Sequence, residues 1–258
     1  MTRLIVNGDD FGMCEGVTLG ILKAHKEGIL RSTTMMVNMP FASQAALMAK
    51  DYPNLGVGLH FTLTAGKPVL SPQEVPTLVD ENGKFHSQHW HLENIKAQND
   101  LLNYDEVYKE LEAQLKLFIQ LNGHLPDHVD SHHGSAFYPK VYLQTQKLIE
   151  AYDLPVRINT STVQSQYERP TFTRLFYDEG VTLEFFLNDL ADMKNQDLVE
   201  MMCHPAFVDE YLYTNSSYNI NRTKELSILC STEVKNWIKD NNIHLINYKD
   251  LKLSLIHI

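Results

Sequence analysis

The chain has 258 residues, of which 43% are hydrophobic, so it can bury a full core, and α/β barrels of this length commonly form one domain. A formal net charge of −10 argues against nucleic acid or an anionic membrane as a partner. The three cysteines are too few and too scattered for a disulfide framework. We find neither a signal-peptide core nor an apolar run near the ~18 residues that a membrane-spanning helix needs, so we expect a cytoplasmic protein.

Segments typical of strands and of helices alternate along the chain. The predicted strands cover Arg3–Asn7, Ser32–Asn38, Leu55–Leu59, Asp127–Val129, Pro155–Ile158, Val181–Phe186, Leu198–Cys203 and His244–Asn247. The predicted helices cover Glu15–Lys26, Phe41–Lys50, Asp105–Leu121, Val141–Tyr152 and Arg222–Lys239. This alternation favours parallel βα units over an all-α or all-β fold.

The segment 61–103 interrupts the alternation. It has few periodic apolar residues, and a connection of this length inside a compact domain is usually functional or mobile. Its HSQHWHLEN stretch places Trp90 among three histidines. Two interpretations stay open: a lid over a site at the strand ends, or a surface excursion without a role. The apolar tail LSLIHI is likewise either a last packed segment or foreign to the native chain.

Four short motifs follow directly after predicted strands, the position where parallel α/β folds keep their chemistry. They are GDDFG, the histidine after LGVGL, DHVDSHH and the histidine after LVEMMC. The motifs hold Asp9, Asp10, His60, Asp130, His132, His133 and His204. Imidazoles and carboxylates that converge at one mouth predict a bound divalent metal that polarises a carbonyl or phosphoryl group.

The doubled aspartate allows two roles. One carboxylate can bind the metal while its neighbour, with a tuned proton affinity, acts as a general base. The alternative is that Asp9 or Asp10 caps the helix that begins near Glu15.

The histidines are interpreted together. His60 alone would more often be a core residue, but histidines after two different strands can meet at one mouth. On a strand, Asp130 and His132 share a face and His133 lies on the other, so His132 and His133 are not both expected to bind the metal. Asp130 could instead orient a histidine through a hydrogen bond.

His204 precedes a proline at a strand end and can protonate a leaving group, although a buried hydrogen-bonded histidine is the competing interpretation. Cys203 faces the opposite way and is assigned to the core. The chain has no GxxxxGK[ST], GxGxxG or GxSxG motif, which weakens nucleotide-dependent and serine-hydrolase interpretations.

Taken in order, LIVNGDDFG, GILRSTTMMVN, GLHFTLTAGKPV, HVDSHH and the late CHP resemble the YdjC-type carbohydrate deacetylases, which include chito-oligosaccharide deacetylases. The resemblance runs from about residue 3 to about residue 250. It implies one domain, residues 1–258, folded as a distorted TIM-like (β/α) barrel with about seven parallel strands. It also implies removal of an acetyl group from an N-acetylated mono- or oligosaccharide with a divalent metal recorded as magnesium. Two imidazoles and a carboxylate would ordinarily suit zinc or another transition metal better.

The resemblance also implies roles for individual residues. Asp10, His60 and His132 match the metal ligands, Asp9 matches the general base, and His204 matches the late histidine, which we assign as the general acid. Exchanged roles for the two adjacent aspartates stay open.

Substrate contacts are assigned to Trp90, as an aromatic face over a sugar ring, and to His133. Family members often have a third histidine where this chain has Gly134, which affects substrate contacts but not the ligands. One alternative function is a metal-dependent phosphoesterase or other hydrolase on the same scaffold, but the motifs have no basic cluster beside them to hold a phosphate. The other alternative is a non-catalytic sugar-binding protein. The expected partner is a small N-acetylated saccharide, and a homodimer is left open.

Overall fold

A curled parallel β-sheet forms the frame of the protein. The computed structural model describes residues 2–157, 166–188, 190 and 195–251, and in them the strand order is β4-β3-β2-β1-β6-β5, with β7 paired to β1. The strands are β1 (Arg3–Phe11), β2 (Ser32–Met35), β3 (Gly56–Phe61), β4 (Val129–Ser131), β5 (Thr171–Thr173), β6 (Leu198–Cys203) and β7 (His244–Ile246). Because the sheet curls into a half-barrel, the predicted distorted (β/α) barrel is confirmed.

The helices in the described part of the chain cover α1 (Glu15–Glu27), α2 (Ala42–Ala49), α3 (Gln88–Lys96), α4 (Tyr104–Asn122), α5 (Tyr142–Tyr152), α6 (Glu184–Leu187), α7 (Glu210–Asn215), α8 (Ile220–Leu229) and α9 (Thr232–Asp240). The predicted end of α4 is confirmed, since Gly123 has φ 81° and its N–H bonds to the Ile119 carbonyl. No helix formed by the described residues is long and apolar enough to cross a membrane.

One predicted helix and one predicted strand differ from the structure in number or type. The single helix predicted over Arg222–Lys239 is two helices, because the Ser231 hydroxyl caps a new N-terminus through the Val234 N–H. The strand predicted over Val181–Phe186 is wrong: its last three residues belong to the short helix α6, which buries two phenylalanines. A short apolar run cannot by itself distinguish a buried strand from a buried helical turn.

Strand β5 was not predicted. The strand expected over Pro155–Ile158 is reduced to an isolated parallel bridge between Val156 and Val129, and Ile158 lies outside the described residues, as does the tail LSLIHI.

Strand β1 is the centre of the sheet. One of its edges pairs with β6 from Arg3 to Gly8, while the other edge is shared by β7 and then β2. Every residue from Leu4 to Phe11 is buried; Leu4, Val6 and Phe11 belong to the main hydrophobic core, and Ile5 belongs to a second, smaller cluster. The carboxyl end of β1 is therefore held on both sides, which fixes the position of the aspartates it carries.

The segment 61–103 is anchored by polar side chains on one face of α4. Glu106, Glu110 and Gln114 are spaced four residues apart, so they lie one above the other on the helix. Glu110 is fully buried and accepts the backbone N–H groups of Val69 and Leu70 at 2.9 and 3.0 Å. Glu106 accepts the Thr77 N–H in the same way, and Gln114 accepts the Thr62 N–H.

We expect Glu110→Ala to destabilise the protein by about 2 to 4 kcal/mol, because it leaves the Val69 and Leu70 N–H groups without their charged acceptor. Urea unfolding measures this change, and limited trypsin digestion should cut within the segment 61–103 sooner than in the parent protein. Glu112→Ala is the matched control on the same helix: it removes only an exposed pair with Lys116 and should cost less than about 0.5 kcal/mol. Equal effects of the two variants would contradict the anchoring role.

Candidate active site

A large cavity lies at the carboxyl ends of the strands. Its volume is about 1790 Å³, and six of the predicted site residues line it: Asp9, Asp10, His60, His132, His133 and His204. Asp130 is fully buried behind the lining, and Trp90 lies elsewhere. The segment 61–103 contributes Thr64, Lys67 and Gln88 to the wall, so it borders the cavity.

An irregularity in β1 brings both aspartates to this cavity. The pairing of β1 with β2 shifts between Gly8 and Phe11, and Asp10 has φ 73°. In a regular strand, adjacent side chains point to opposite faces, whereas a bulge re-aims them. Aspartate tolerates this left-handed conformation better than most residues. Asp9 and Asp10 can therefore both line one cavity although they are consecutive.

Two imidazoles converge on one carboxylate oxygen. Asp10 Oδ1 lies 2.9 Å from His132 Nδ1 and 3.3 Å from His60 Nε2. One ligand atom from each of the three residues lies within 4.8 Å of the others. All three are buried, and a carboxylate with two imidazoles is a donor set that suits a divalent transition metal. The geometry is that of a candidate metal site.

Asp130 holds the ring of His60 from behind. Its Oδ1 lies 2.5 Å from His60 Nδ1, and its Oδ2 accepts the Thr34 hydroxyl at 2.9 Å. Burial by itself would lower the pKa of His60, but the carboxylates of Asp130 and Asp10 raise it to about 10. The space between these groups thus strongly favours positive charge, as a metal site requires.

Asp9 has a different partner, the buried Arg157. The guanidinium donates to both Asp9 oxygens at 2.7 and 2.8 Å, and Asn7 Nδ2 donates to Oδ1 at 2.8 Å. Burial would raise the pKa of Asp9, but Arg157 keeps it well below its ordinary value, so the carboxylate is ionised. Arg157 also reaches Asp130 at 2.8 Å and Glu200 at 2.7 Å. It therefore ties together three buried carboxylates.

Asp10 is held on its other side by Arg222. The Arg222 Nη2 donates to Asp10 Oδ2 at 2.7 Å, which leaves Oδ1 facing His60 and His132. The two aspartates are therefore distinguishable: Asp10 has one oxygen facing the imidazoles, whereas both oxygens of Asp9 accept hydrogen bonds from the Arg157 guanidinium.

His204 is supported by the buried Glu225. Its backbone N–H donates to the Glu225 carboxylate, and its Nδ1 lies 4.0 Å from Glu225 Oε1. The Tyr218 hydroxyl also donates to Glu225, and the Tyr177 and Tyr218 rings meet the His204 ring edge-on at 5.5 and 5.7 Å. Burial lowers the pKa of His204 to about 4 and raises that of Glu225 to about 8.

His132 and His133 both line the cavity but have different partners. Strand β4 ends at Ser131 and the chain continues as a 3₁₀ turn in which His133 has φ 55°, so the alternation assumed for a strand does not apply. The His133 Nδ1 lies 3.1 Å from the Thr64 hydroxyl, and its ring lies 3.9 Å from that of His132. Burial lowers the pKa of His133 to about 3, so its ring is neutral.

The structure places Trp90 outside the main cavity. Trp90 stacks on His86 at 3.9 Å and lines a second, smaller cavity, while Gln88, two residues earlier on α3, lines the main one. Residues two apart in a helix lie about 200° apart around its axis, so they face different ways.

Sequence reasoning did not identify Arg157, Arg222, Glu225 or Tyr218. A signal was present for two of them: the buried face of α8 consists of Arg222, Glu225, Leu226 and Leu229. Charged residues at core-facing helical positions are rare unless they are paired, so this pattern indicates a buried charge network.

Comparisons with known proteins give consistent matches. A family model described as YdjC-like protein matches residues 3–240. A carbohydrate deacetylase of Brevibacillus brevis is 41% identical over 256 residues, covering 96% of this chain and 99% of the relative. A chitooligosaccharide deacetylase of Yersinia enterocolitica is 39% identical over 256 residues, covering 96% and 98%. A solved structure of an Enterococcus faecalis protein, named for cellobiose-phosphate cleavage, has a TM-score of 0.87 and 35% identity, with 96% of this chain and 98% of that chain covered.

Proposed function

The chain belongs to the YdjC-like protein family, and from this premise we propose that it is a metal-dependent hydrolase that removes the acetyl group from an N-acetylated mono- or oligosaccharide of the chitobiose type. One observation carries the proposal: a buried set of one carboxylate and two imidazoles shares a cavity with a second carboxylate and a further histidine. The names of the curated relatives, carbohydrate deacetylase and chitooligosaccharide deacetylase, supply the substrate class.

Asp10, His60 and His132 are proposed to hold one divalent ion. The high pKa of His60 supports this, because the space between the ligands favours a cation. When bound, the ion would polarise the amide carbonyl and increase the acidity of a water molecule. Magnesium follows from the family resemblance, whereas the ligand types favour zinc or another transition metal. Asp130 is proposed to fix the orientation and tautomer of the His60 ring.

Asp9 is proposed as the general base. It is ionised, and one or more of its lone pairs stay available beside the hydrogen bonds from Arg157 and Asn7. Its lowered pKa makes it a weak base, so the water it deprotonates must itself be acidic.

His204 is proposed as the general acid. In the reaction the water oxygen bonds to the acetyl carbon, the C–N bond breaks, and the amine nitrogen accepts a proton from the imidazolium. The products are acetate and a free amino sugar.

The remaining wall of the cavity suits a saccharide. Phe172, Tyr177, Tyr211 and Tyr218 present aromatic surface, and aromatic rings pack well on the apolar face of a sugar. The neutral ring of His133, in contact with Thr64, is proposed to bind a sugar hydroxyl. Cytoplasmic location and the absence of nucleic-acid and membrane partners stay predictions, and a homodimer stays open.

A second candidate function is hydrolysis of a sugar phosphate. Lys67, Lys84 and Arg174 line the cavity, although no basic cluster was evident beside the motifs in the sequence, and the Enterococcus faecalis relative is named for cleavage of cellobiose-phosphate. Arg157 and Arg222 do not add to the positive charge available for a phosphate, since both are paired with carboxylates. We favour the deacetylase because two curated relatives over nearly the full chain carry that name.

Product release separates these functions. With N,N′-diacetylchitobiose we expect acetate release that is abolished by a chelator and restored by a divalent metal, and with sugar phosphates we expect no phosphate release. Phosphate release without acetate release would select the second candidate. Tight saccharide binding without either product would select a non-catalytic sugar-binding protein.

A further inference from the structure

Arg222 is a buried cation that contacts a proposed metal ligand and is used by no step of the proposed reaction. It lies on the inner face of α8, has an exposed fraction of only 3%, and borders the main cavity. Its Nε donates to the Tyr218 carbonyl, and its Nη2 donates to Asp10 Oδ2, both at 2.7 Å. The guanidinium is therefore held in a fixed position against the Asp10 carboxylate.

The two oxygens of Asp10 have partners of different kinds. Oδ1 lies 3.3 Å from His60 Nε2 and 2.9 Å from His132 Nδ1, whereas Oδ2 accepts the hydrogen bond from Arg222. A carboxylate can bind a cation through one oxygen or through both. Because Oδ2 is taken by the guanidinium, Asp10 offers one oxygen, and the proposed ligand set has three donor atoms. Three protein donors leave positions for water and a substrate oxygen, as in catalytic zinc sites.

The charge of Arg222 also opposes a bound cation. The guanidinium is buried beside the ligand carboxylate, where solvent screens charges only weakly. Asp130 acts in the opposite sense, since its carboxylate lies 2.5 Å from His60 Nδ1 and makes that imidazole a stronger donor. In the ion-free protein the Arg222 contact stabilises the buried Asp10 carboxylate, because a buried charge is costly without a partner. Both effects of Arg222 favour the ion-free form of the protein.

We propose that Arg222 is a positioning residue that restricts Asp10 to a single ligand oxygen and weakens binding of the ion, so that positions for water and substrate stay open. The proposal rests on the proposed function, since it assumes that Asp10, His60 and His132 hold a divalent ion. It implies that loss of the Arg222 charge changes metal affinity and turnover in opposite directions. Loss of a purely structural contact would lower both.

The first measurement is the affinity of the ion-free protein for Zn²⁺, determined by competition with a chromophoric chelator. Arg222→Gln should bind Zn²⁺ roughly 10- to 100-fold more tightly than the parent protein, the range over which groups behind a ligand act. Arg222→Lys keeps the positive charge and should stay within about 3-fold of the parent. Arg31→Gln is the matched control, since Arg31 is a part-buried guanidinium that donates to backbone carbonyls and does not border the main cavity. Its affinity should not change.

Two further readouts separate this role from a structural one. Zn²⁺ should raise the unfolding temperature of Arg222→Gln more than that of the parent, by roughly 3 to 6 °C for each tenfold gain in affinity. At saturating Zn²⁺, kcat for acetate release from N,N′-diacetylchitobiose should fall roughly 10-fold or more, because the second Asp10 oxygen then competes for an open position. Arg222→Met is a second neutral variant, measured in the same way in case the glutamine variant does not fold.

The outcomes distinguish this proposal from the proposed function. Unchanged or weaker Zn²⁺ binding by the neutral variants would overturn the role of Arg222 and leave the deacetylase untouched. Failure of both neutral variants to fold, even with saturating Zn²⁺, would show that Arg222 is a structural residue and that the proposal is wrong. If Arg222→Gln binds Zn²⁺ more tightly but the parent protein releases no acetate from any saccharide, the proposed function fails and the role of Arg222 stands.

Discussion

Replacing Asp10 by asparagine is expected to remove the divalent ion and at least about 99% of the turnover together. The carboxylate of Asp10 provides the oxygen that both His60 and His132 approach, at 3.3 and 2.9 Å. An amide keeps the shape of this ligand but not its charge. His60→Ala and His132→Ala should lose the ion in the same way, because each removes an imidazole from the same set of donors.

Asp9→Asn should behave differently: it should keep about one ion per chain while kcat falls roughly 10²- to 10⁴-fold, the size of a general-base contribution. Arg157 retains Asp130 and Glu200 as partners at 2.8 and 2.7 Å, so the loss of one carboxylate does not leave a buried unpaired guanidinium. The protein should therefore remain folded.

Elemental analysis of metal content, steady-state rates and urea unfolding on the same samples separate the two aspartates. Asp51→Asn, an exposed aspartate outside the cavity, serves as the control and should change neither metal content nor rate. If Asp9→Asn loses the ion and Asp10→Asn retains it, the assigned roles are reversed. Full metal occupancy in a His60→Ala, His132→Ala double variant would refute the ligand set.

The position of these residues could be predicted from the sequence because it depends on local patterns. Apolar strands that end in Asp or His place those side chains at one edge of a parallel sheet, whatever the rest of the chain does. For this reason the convergence of Asp10, His60 and His132 at one end of a parallel sheet could be predicted from these patterns, whereas the barrel was implied by the resemblance to the YdjC-type deacetylases. The face assignment of His133 failed because it assumed that β4 continues, whereas the strand ends at Ser131.

The groups that tune the site could not be predicted in this way. Arg157 lies 148 residues from Asp9 along the chain, and Arg222 lies 212 residues from Asp10. No spacing rule connects such pairs, since the fold alone decides which strand end meets which helix. Trp90 shows the same limit on a smaller scale: the sequence located it near the site, but its direction depends on the register of α3, whose N-terminus is fixed by the Ser87 cap.

The pair of Glu225 and His204 predicts the pH dependence of turnover. Burial raises the pKa of Glu225 to about 8 and lowers that of His204 to about 4, so near neutral pH the proton of the pair resides on Glu225. His204 can pass a proton to the leaving nitrogen and regain one from Glu225 once their 4.0 Å separation shortens by about 1 Å. As pH rises through about 8, Glu225 loses this proton, and kcat/KM should fall.

Three variants test this pH limb, each measured with the same metal, because the charge of the ion itself shifts nearby pKa values. Glu225→Gln cannot store the proton, so kcat at pH 7 should fall roughly 100-fold and the limb near 8 should vanish. Tyr218→Phe removes a hydrogen bond that lowers the pKa of Glu225, so its limb should move to higher pH while activity at pH 7 persists. His204→Ala should bind substrate and turn over slowly at every pH. A Glu225→Gln enzyme with the parent profile would show that the proton comes from elsewhere, since glutamine preserves the shape of the side chain and removes only its titration.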